Sequence, residues 1–290
     1  MLARWTRAHA PWSVVWLAAA STVLGAPSLA AQGLTGSSPP LGVRTVGVLG
    51  AAGGLGETIA KTLAREGAAV GVTDINVQDA KRVESEIHRN GGAALAIPCD
   101  VTRPSEVAKM VKAVLDQWGA IDILVNNAGG FNTFSPLPDI TEDQWDRVVA
   151  LNLKSVFLCC QAVSRHMMER RKGRIVNIAS RAGLAPNPGG PDYLPYGAAK
   201  AGVMGLGRLL ASELGPYGIT VNSISPSTVL TERIIKLRDP GSLKKIAEMA
   251  PLRHLVEPQD IAEAVLFLAS DAARSITGIN LNVNSGNFMV

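Results

Sequence analysis

The feature that most constrains this chain is an alternation of two hydrophobic periods that begins near residue 43. Short apolar, β-branched runs at 43–49, 69–73, 93–97, 121–125, 174–178, 219–224 and 279–283 predict strands. Between them, segments with helical spacing predict helices over 57–65, 77–89, 104–118, 142–171, 197–214 and 258–269. Strands this continuously apolar are buried on both faces, as in a parallel sheet covered by helices on each side. Right-handed crossovers then give a doubly wound sheet. The expectation is one α/β domain over residues 43–290, with a parallel sheet of about seven strands and no second domain or repeat.

Composition agrees with a packed core. Of the 290 residues, 47% are hydrophobic and 18% charged, which excludes a disordered chain. The net charge of +4 is not gathered into a basic run, so no nucleic-acid partner is expected. Cys99, Cys159 and Cys160 show no metal-ligand spacing and make a poor disulfide framework, so they read as small buried hydrophobes and no metal is expected.

Residues 1–42 differ from the rest. No Asp or Glu precedes Glu57, and Arg4 and Arg7 lead into a mostly apolar stretch over 12–26. Small residues follow at Ser28 and Ala30, then a Gly/Ser/Pro-rich linker over 32–42. This is the layout of a secretory signal, although a membrane anchor, an organelle presequence and a plain extension share it. The expected location of the domain over 43–290 is cytoplasmic or membrane-associated, with export or organellar import through the N-terminal segment as the alternative.

Three local patterns carry chemistry. The loop Gly50-Ala51-Ala52-Gly53-Gly54-Leu55-Gly56 lies between the first strand and the first helix. Glycine lets backbone approach a ligand, and the following helix N-terminus favours pyrophosphate. Asp74 ends the second strand, 18 residues beyond Gly56, where a carboxylate accepts bonds from a ribose diol and repels a 2′-phosphate. A strand-end turn would also use an Asp there. Nothing in the loop supplies a cation for a 2′-phosphate, so NAD is favoured over NADP.

In Tyr196-Gly197-Ala198-Ala199-Lys200 the phenol and the ammonium share a helix face. A nearby ammonium lowers a phenol pKa, which suits acid–base work. Taken alone, the spacing equally describes a surface Tyr and a solvated Lys. Its setting decides otherwise: Ser180 follows the fifth strand, Asn126-Asn127-Ala128-Gly129 the fourth and Asp100-Val101 the third. All fall at the carboxyl edge, where the ligand crevice of such a sheet lies. Asn152 sits within the long helical region, where a buried Asn needs a reason.

From about residue 43 to its end the chain resembles the short-chain dehydrogenase/reductase family, whose glycine loop, Asn-Asn-Ala-Gly, Ser and Tyr-x-x-x-Lys it carries in order. The resemblance implies a Rossmann-type domain, a catalytic set of Asn152, Ser180, Tyr196 and Lys200, and an NAD site. That site would use Gly50, Gly54, Leu55, Gly56, Asp74, Asp100, Val101, Asn127, Ala128, Gly129, Tyr196, Lys200 and Thr231. In this scheme Tyr196 passes a proton to or from the substrate oxygen and Ser180 holds that oxygen. Lys200 lowers the tyrosine pKa and binds the nicotinamide ribose, and Asn152 helps place a relaying water. Asp100 would lie near the adenine and Thr231 near the carboxamide.

Leu49, Ser227 and Asn284 depart from the family pattern, which has Thr, Gly and Asp there. Tyr193 lacks a Lys four residues on. The expected reaction is hydride transfer between NAD(H) and the carbinol or carbonyl carbon of a small alcohol or ketone, in a homodimer or homotetramer. Two alternatives are an NADPH-dependent 3-oxoacyl reductase and a non-catalytic dinucleotide-binding regulator. Loops over 130–140, 181–195 and 228–255 would shape the substrate pocket with Phe131, Phe134, Leu184 and Tyr193. Arg181 and Arg233 would meet an anionic substrate or simply be solvated.

Overall fold

A computed structural model describes residue 41 and residues 44–131, 135–186 and 193–289. The signal-like segment, nearly all of its linker and Phe134 lie outside the described residues.

The chain runs β1 (Thr45–Leu49), α1 (Gly54–Arg65), β2 (Ala69–Asp74), α2 (Val77–Arg89), β3 (Ala93–Pro98), α3 (Pro104–Trp118) and β4 (Ile123–Asn126). It continues with α4 (Glu142–Val149), α5 (Ser155–Arg170), β5 (Gly173–Ile178), α6 (Leu194–Leu214) and β6 (Ile219–Pro226). Last come α7 (Glu232–Leu237), α8 (Pro240–Met249), α9 (Pro258–Ala269) and β7 (Asn280–Val283). The seven strands form one sheet in the order β3-β2-β1-β4-β5-β6-β7, with every pair parallel. This is the doubly wound sheet expected of the alternating pattern. Strand order reverses at β1, between β2 and β4, which places the crevice above the ends of β1 and β4.

Each sheet face carries its own core. On one face Val46, Val48, Val70 and Val72 pack with Ile59 and Leu63 of α1 and Ile261 and Val265 of α9. On the other, Leu49, Leu124 and Ile175 pack with Met110 of α3, Val163 and Met167 of α5 and Val203 of α6. Cys99, Cys159 and Cys160 are buried and free, as small hydrophobes.

Local signals set the element ends. Asn76 caps α2 by accepting from the Gln78 and Asp79 amides, and Thr141 and Gln144 form a capping box at α4. Pro104 opens α3, and Gly119, at φ 73°, closes it.

Two features differ from the sequence expectation. The helical region 142–171 is not one α-helix, because residues Ala150–Lys154 form a π turn between α4 and α5. Such turns insert one residue into a helix and turn a side chain aside, often at functional sites. In addition, the loop expected over 228–255 contains α7 and α8. Both are short and largely exposed, so neither carries the apolar stripe that announces a core helix.

Candidate active site

The glycine loop is built from close backbone contacts. Gly50 takes φ 66°, and a Cβ on it would lie 2.9 Å from Ala128 Cα. A Cβ on Gly56 would lie 1.9 Å from the Gly50 carbonyl oxygen and 2.6 Å from Asn127 Nδ2. Asn127 Nδ2 donates to the carbonyls of Leu49 and Gly50, at 3.2 and 3.0 Å. The ends of β1 and β4 are thus locked together. Gly54, at φ 53°, faces Thr231 across the loop, with the threonine methyl 3.6 Å from the site of a Cβ. Gly53 begins α1 without a side-chain cap, and the space beside it is open. An uncapped N-terminus of a twelve-residue helix, opening on bare backbone, fits a pyrophosphate. Leu55 packs its side chain against the core.

Asp74 closes β2 beside this loop. Its Oδ2 accepts from the Ala52 amide at 3.1 Å and its Oδ1 from the Asn76 amide at 3.0 Å. The carbonyl of the same Ala52 accepts from Arg82 Nη2 at 3.1 Å, and Arg82 is itself held by Glu57 at 2.7 Å. Arg82 is a residue that sequence reasoning missed. Its only sequence signal is helical spacing to Asp79 and Glu86, which any solvated helix shows.

Asp100, after β3, does not point freely into the crevice. Its carboxylate accepts from the amide and hydroxyl of Thr102 and pairs with Arg103 at 3.1 Å. The Thr102 hydroxyl leads the groups that hold its pKa below the ordinary range. Val101 is buried beneath it.

The four residues expected to be catalytic converge. Ser180 follows β5, accepts from the Ala182 amide at 3.1 Å and is hydrogen-bonded to the Tyr196 hydroxyl. Tyr196 lies in the first turn of α6, so Lys200 follows one turn on, its Nζ 5.6 Å from the Tyr196 ring centroid. Lys200 is buried, and its Nζ donates to the Ile178 carbonyl at 2.7 Å. Asn152, fully buried on the π turn, accepts from the Gly130 amide at 2.9 Å and donates to the Gly130 carbonyl at 2.8 Å. Gly129 joins the two clusters, since a Cβ on it would fall 2.7 Å from Asn152 Oδ1 and 3.2 Å from Lys200 Nζ.

The electrostatics depart from the simple expectation. Burial pushes the Tyr196 phenol above its ordinary pKa, while the Ser180 hydrogen bond and the charge of Arg233 pull the other way. Burial pushes Lys200 down to about 8. The ammonium donates to the Ile178 carbonyl and stands beside the Tyr196 ring, and the Ser180 hydrogen bond and the charge of Arg233 both favour the phenolate.

Tyr193 stands just ahead of α6. Its ring is 4.2 Å from Phe131 and 6.3 Å from Tyr196, and Phe131 is 4.9 Å from Tyr196. Together with Ile140, Val148 and Leu194 these rings line a largely apolar cleft at the reacting edge. Leu184, expected in the pocket, packs instead on the core of the α6 face.

Comparison with known proteins agrees with this geometry. The family model described as enoyl-(acyl carrier protein) reductase matches residues 50–287. The 3-oxoacyl-[acyl-carrier-protein] reductase of Staphylococcus epidermidis is 41% identical over 83% of this chain and 98% of its own. A Brucella melitensis 3-oxoacyl-[acyl-carrier protein] reductase with bound NAD superposes with a TM-score of 0.78 at 32% identity, over 87% of this chain and 94% of that one. A 7α-hydroxysteroid dehydrogenase complexed with NADH and 7-oxo glycochenodeoxycholic acid gives a TM-score of 0.81 at 36% identity, over 86% and 95% of the two chains. With its sheet order, glycine loop and Ser–Tyr–Lys cluster accounted for, the chain belongs to the short-chain dehydrogenase/reductase family of oxidoreductases.

Proposed function

We propose that this oxidoreductase uses NAD(H) and acts on the carbinol or carbonyl carbon of a small alcohol or ketone. The observation that carries the reading is the bonding of Ser180 to the Tyr196 hydroxyl, with Lys200 one turn below and Asn152 joined through Gly129. Ser180 holds the substrate oxygen, and Tyr196 gives or takes its proton. Lys200 binds the nicotinamide ribose, and Asn152 fixes Gly130 at the wall of the cleft. A nicotinamide dinucleotide, when bound, supplies the hydride, while these residues supply position and charge. Its expected contacts are the backbone of Gly50, Gly54, Leu55 and Gly56, Asp74 at the adenosine ribose, and Asn127, Ala128 and Gly129 along β4. Val101, Asp100 and Thr231 complete the crevice.

Asp74 supports NAD over NADP, because its carboxylate stands at the loop where a 2′-phosphate would bring a like charge. The likeness to 3-oxoacyl reductases favours a second reading, an NADPH-dependent acyl-chain reductase. Initial rates with NAD and NADP over a panel of alcohols and ketones separate the two. NAD-linked turnover supports the first reading, and an NADPH preference of tenfold or more supports the second. A non-catalytic regulator would need none of Ser180, Tyr196 and Lys200, and all three are present. Residues 1–42 are proposed as a separable extension that sets location, with the catalytic domain cytoplasmic or membrane-associated. A native N-terminus near Ala31 or Gln32 in an extracytoplasmic fraction would contradict that placement.

A further inference from the structure

One guanidinium brackets the glycine loop. Arg82, in the middle of α2, donates from Nη1 to Glu57 Oε1 at 3.0 Å and from Nη2 to Glu57 Oε2 at 2.7 Å, a paired fork on the first turn of α1. The same Nη2 donates to the Ala52 carbonyl at 3.1 Å. Ala52 directly precedes, and Glu57 directly follows, the run Gly53-Gly54-Leu55-Gly56. That run is mostly glycine, the residue with the most backbone freedom to lose on ordering. From the other side, the Ala52 amide donates to Asp74 Oδ2 at 3.1 Å. Both polar backbone groups of Ala52 are therefore fixed by side chains, the amide from the end of β2 and the carbonyl from α2.

Helix chemistry accounts for part of this arrangement. Arg82 Nη1 also reaches Glu86, one turn on, at 3.0 Å, and Lys61 pairs with Glu57 at 2.5 Å and with Glu86. Two cations and two carboxylates thus close a ring that joins α1 to α2. The Arg82 bond leads the groups that hold the Glu57 carboxyl below its ordinary pKa range. The bond to Ala52 is not accounted for in this way. Ala52 is buried and belongs to neither helix. The planar fork of an arginine can hold a carboxylate and a carbonyl at once, where the single ammonium of a lysine acts as a point charge.

We infer that Arg82 is a positioning residue for the dinucleotide: it presets the backbone between Ala52 and Glu57 in the form that receives the pyrophosphate, acting through those two residues. This rests on the reading of the loop as a dinucleotide site. A loop that is already ordered loses less freedom when the ligand arrives, so the ligand binds more tightly.

The test is fluorescence titration of the full chain with NADH and with NADPH, for the wild type, Arg82→Met, Arg82→Lys and the double variant Glu57→Gln/Arg82→Met. A titration gives the dissociation constant and the stoichiometry separately, so an unfolded fraction lowers the second and leaves the first. Arg82→Met should weaken the better-bound dinucleotide by about three- to tenfold at unchanged stoichiometry, a modest range because the Arg82 side chain is 44% exposed. Arg82→Lys keeps the charge without the fork, should fall between Arg82→Met and the wild type, and carries the test if Arg82→Met does not fold. The double variant leaves Lys61 paired with Glu86 and no bare Glu57 charge to repel a pyrophosphate, yet it should bind as weakly as Arg82→Met. Wild-type affinity in the double variant would overturn the inference, because charge balance alone would then explain the loss. So would dissociation constants within about twofold of the wild type in the Arg82 variants, whatever their stability, which would make Arg82 only a bridge between helices. Either result leaves the dinucleotide reading standing. A wild type that binds neither NADH nor NADPH would overturn that reading and this inference with it.

Discussion

The Asp74 carboxylate accepts the amide of Ala52 at 3.1 Å, so the residue expected to face the adenosine ribose also holds the middle of the glycine loop. Replacing Asp74 with Ala therefore removes two things. The loop loses an anchor, and the crevice loses the charge that opposes a 2′-phosphate. NAD affinity should fall by about tenfold or more, the scale of a charge-assisted hydrogen bond, while NADP affinity rises or holds. Fluorescence titration with both reduced cofactors measures the change. A wild type that binds NADPH tenfold more tightly than NADH contradicts this account of Asp74.

Gly56 and Gly53 make a matched pair. A Cβ at Gly56 meets the Gly50 carbonyl oxygen at 1.9 Å, and that backbone cannot move without pulling β1 from β4. Gly56→Ala should cost about 1–3 kcal/mol, or more, and abolish cofactor binding. Gly53 has extended backbone at φ −169° and open space, so Gly53→Ala should shift stability by no more than about 0.5 kcal/mol. Denaturant unfolding of both variants checks the contrast.

Lys200 gives a pH dependence with a defined sign. Its ammonium holds its proton to the ordinary 10.5 in the unfolded chain but only to about 8 in the fold. Between those values the unfolded chain binds more protons, so this residue makes the protein more stable as pH rises. Below about pH 8 the full cost of burying the charge is present. The stability of the wild type relative to Lys200→Met should therefore climb between about pH 8 and 10.5 and be level below 8. A difference that is level throughout, measured by chemical unfolding, contradicts it.

Much of this was legible in the sequence because it is local. The strand and helix periods, the glycines of the loop and the Tyr196–Lys200 spacing each depend on residues a few positions apart, and the helices Val77–Arg89, Pro104–Trp118 and Pro258–Ala269 match their expected bounds. The π turn at Asn152 was not legible, since one added residue barely disturbs the apolar pattern of a long helical segment. Nor were Arg82 and Arg238. Each acts through a partner 30 or 45 residues away, Ala52 for one and Tyr193 for the other. Asp100 was placed correctly at the end of β3, but its hold on Thr102 and Arg103 comes from the turn into α3.

Assembly follows from what α4, α5 and α6 leave uncovered. Trp145, Phe157 and Leu209 are 42%, 45% and 71% exposed, and α6 adds the small exposed residues Ala198 and Ala201. Apolar surface of this kind favours a symmetric interface, and a homodimer or homotetramer is expected. Light scattering at micromolar concentration should give a mass of two or four chains. A clean monomer mass contradicts it.

Proton transfer by the Tyr196 hydroxyl is the step on which the proposed chemistry depends. Steady-state turnover of Tyr196→Phe, beside Tyr193→Phe and the wild type, tests it most directly. Loss of an acid–base group should lower kcat by about 10²–10⁴-fold in Tyr196→Phe while cofactor affinity holds, and Tyr193→Phe should change kcat only mildly. Near-normal turnover by Tyr196→Phe, with any alcohol that the wild type oxidises, would contradict the account.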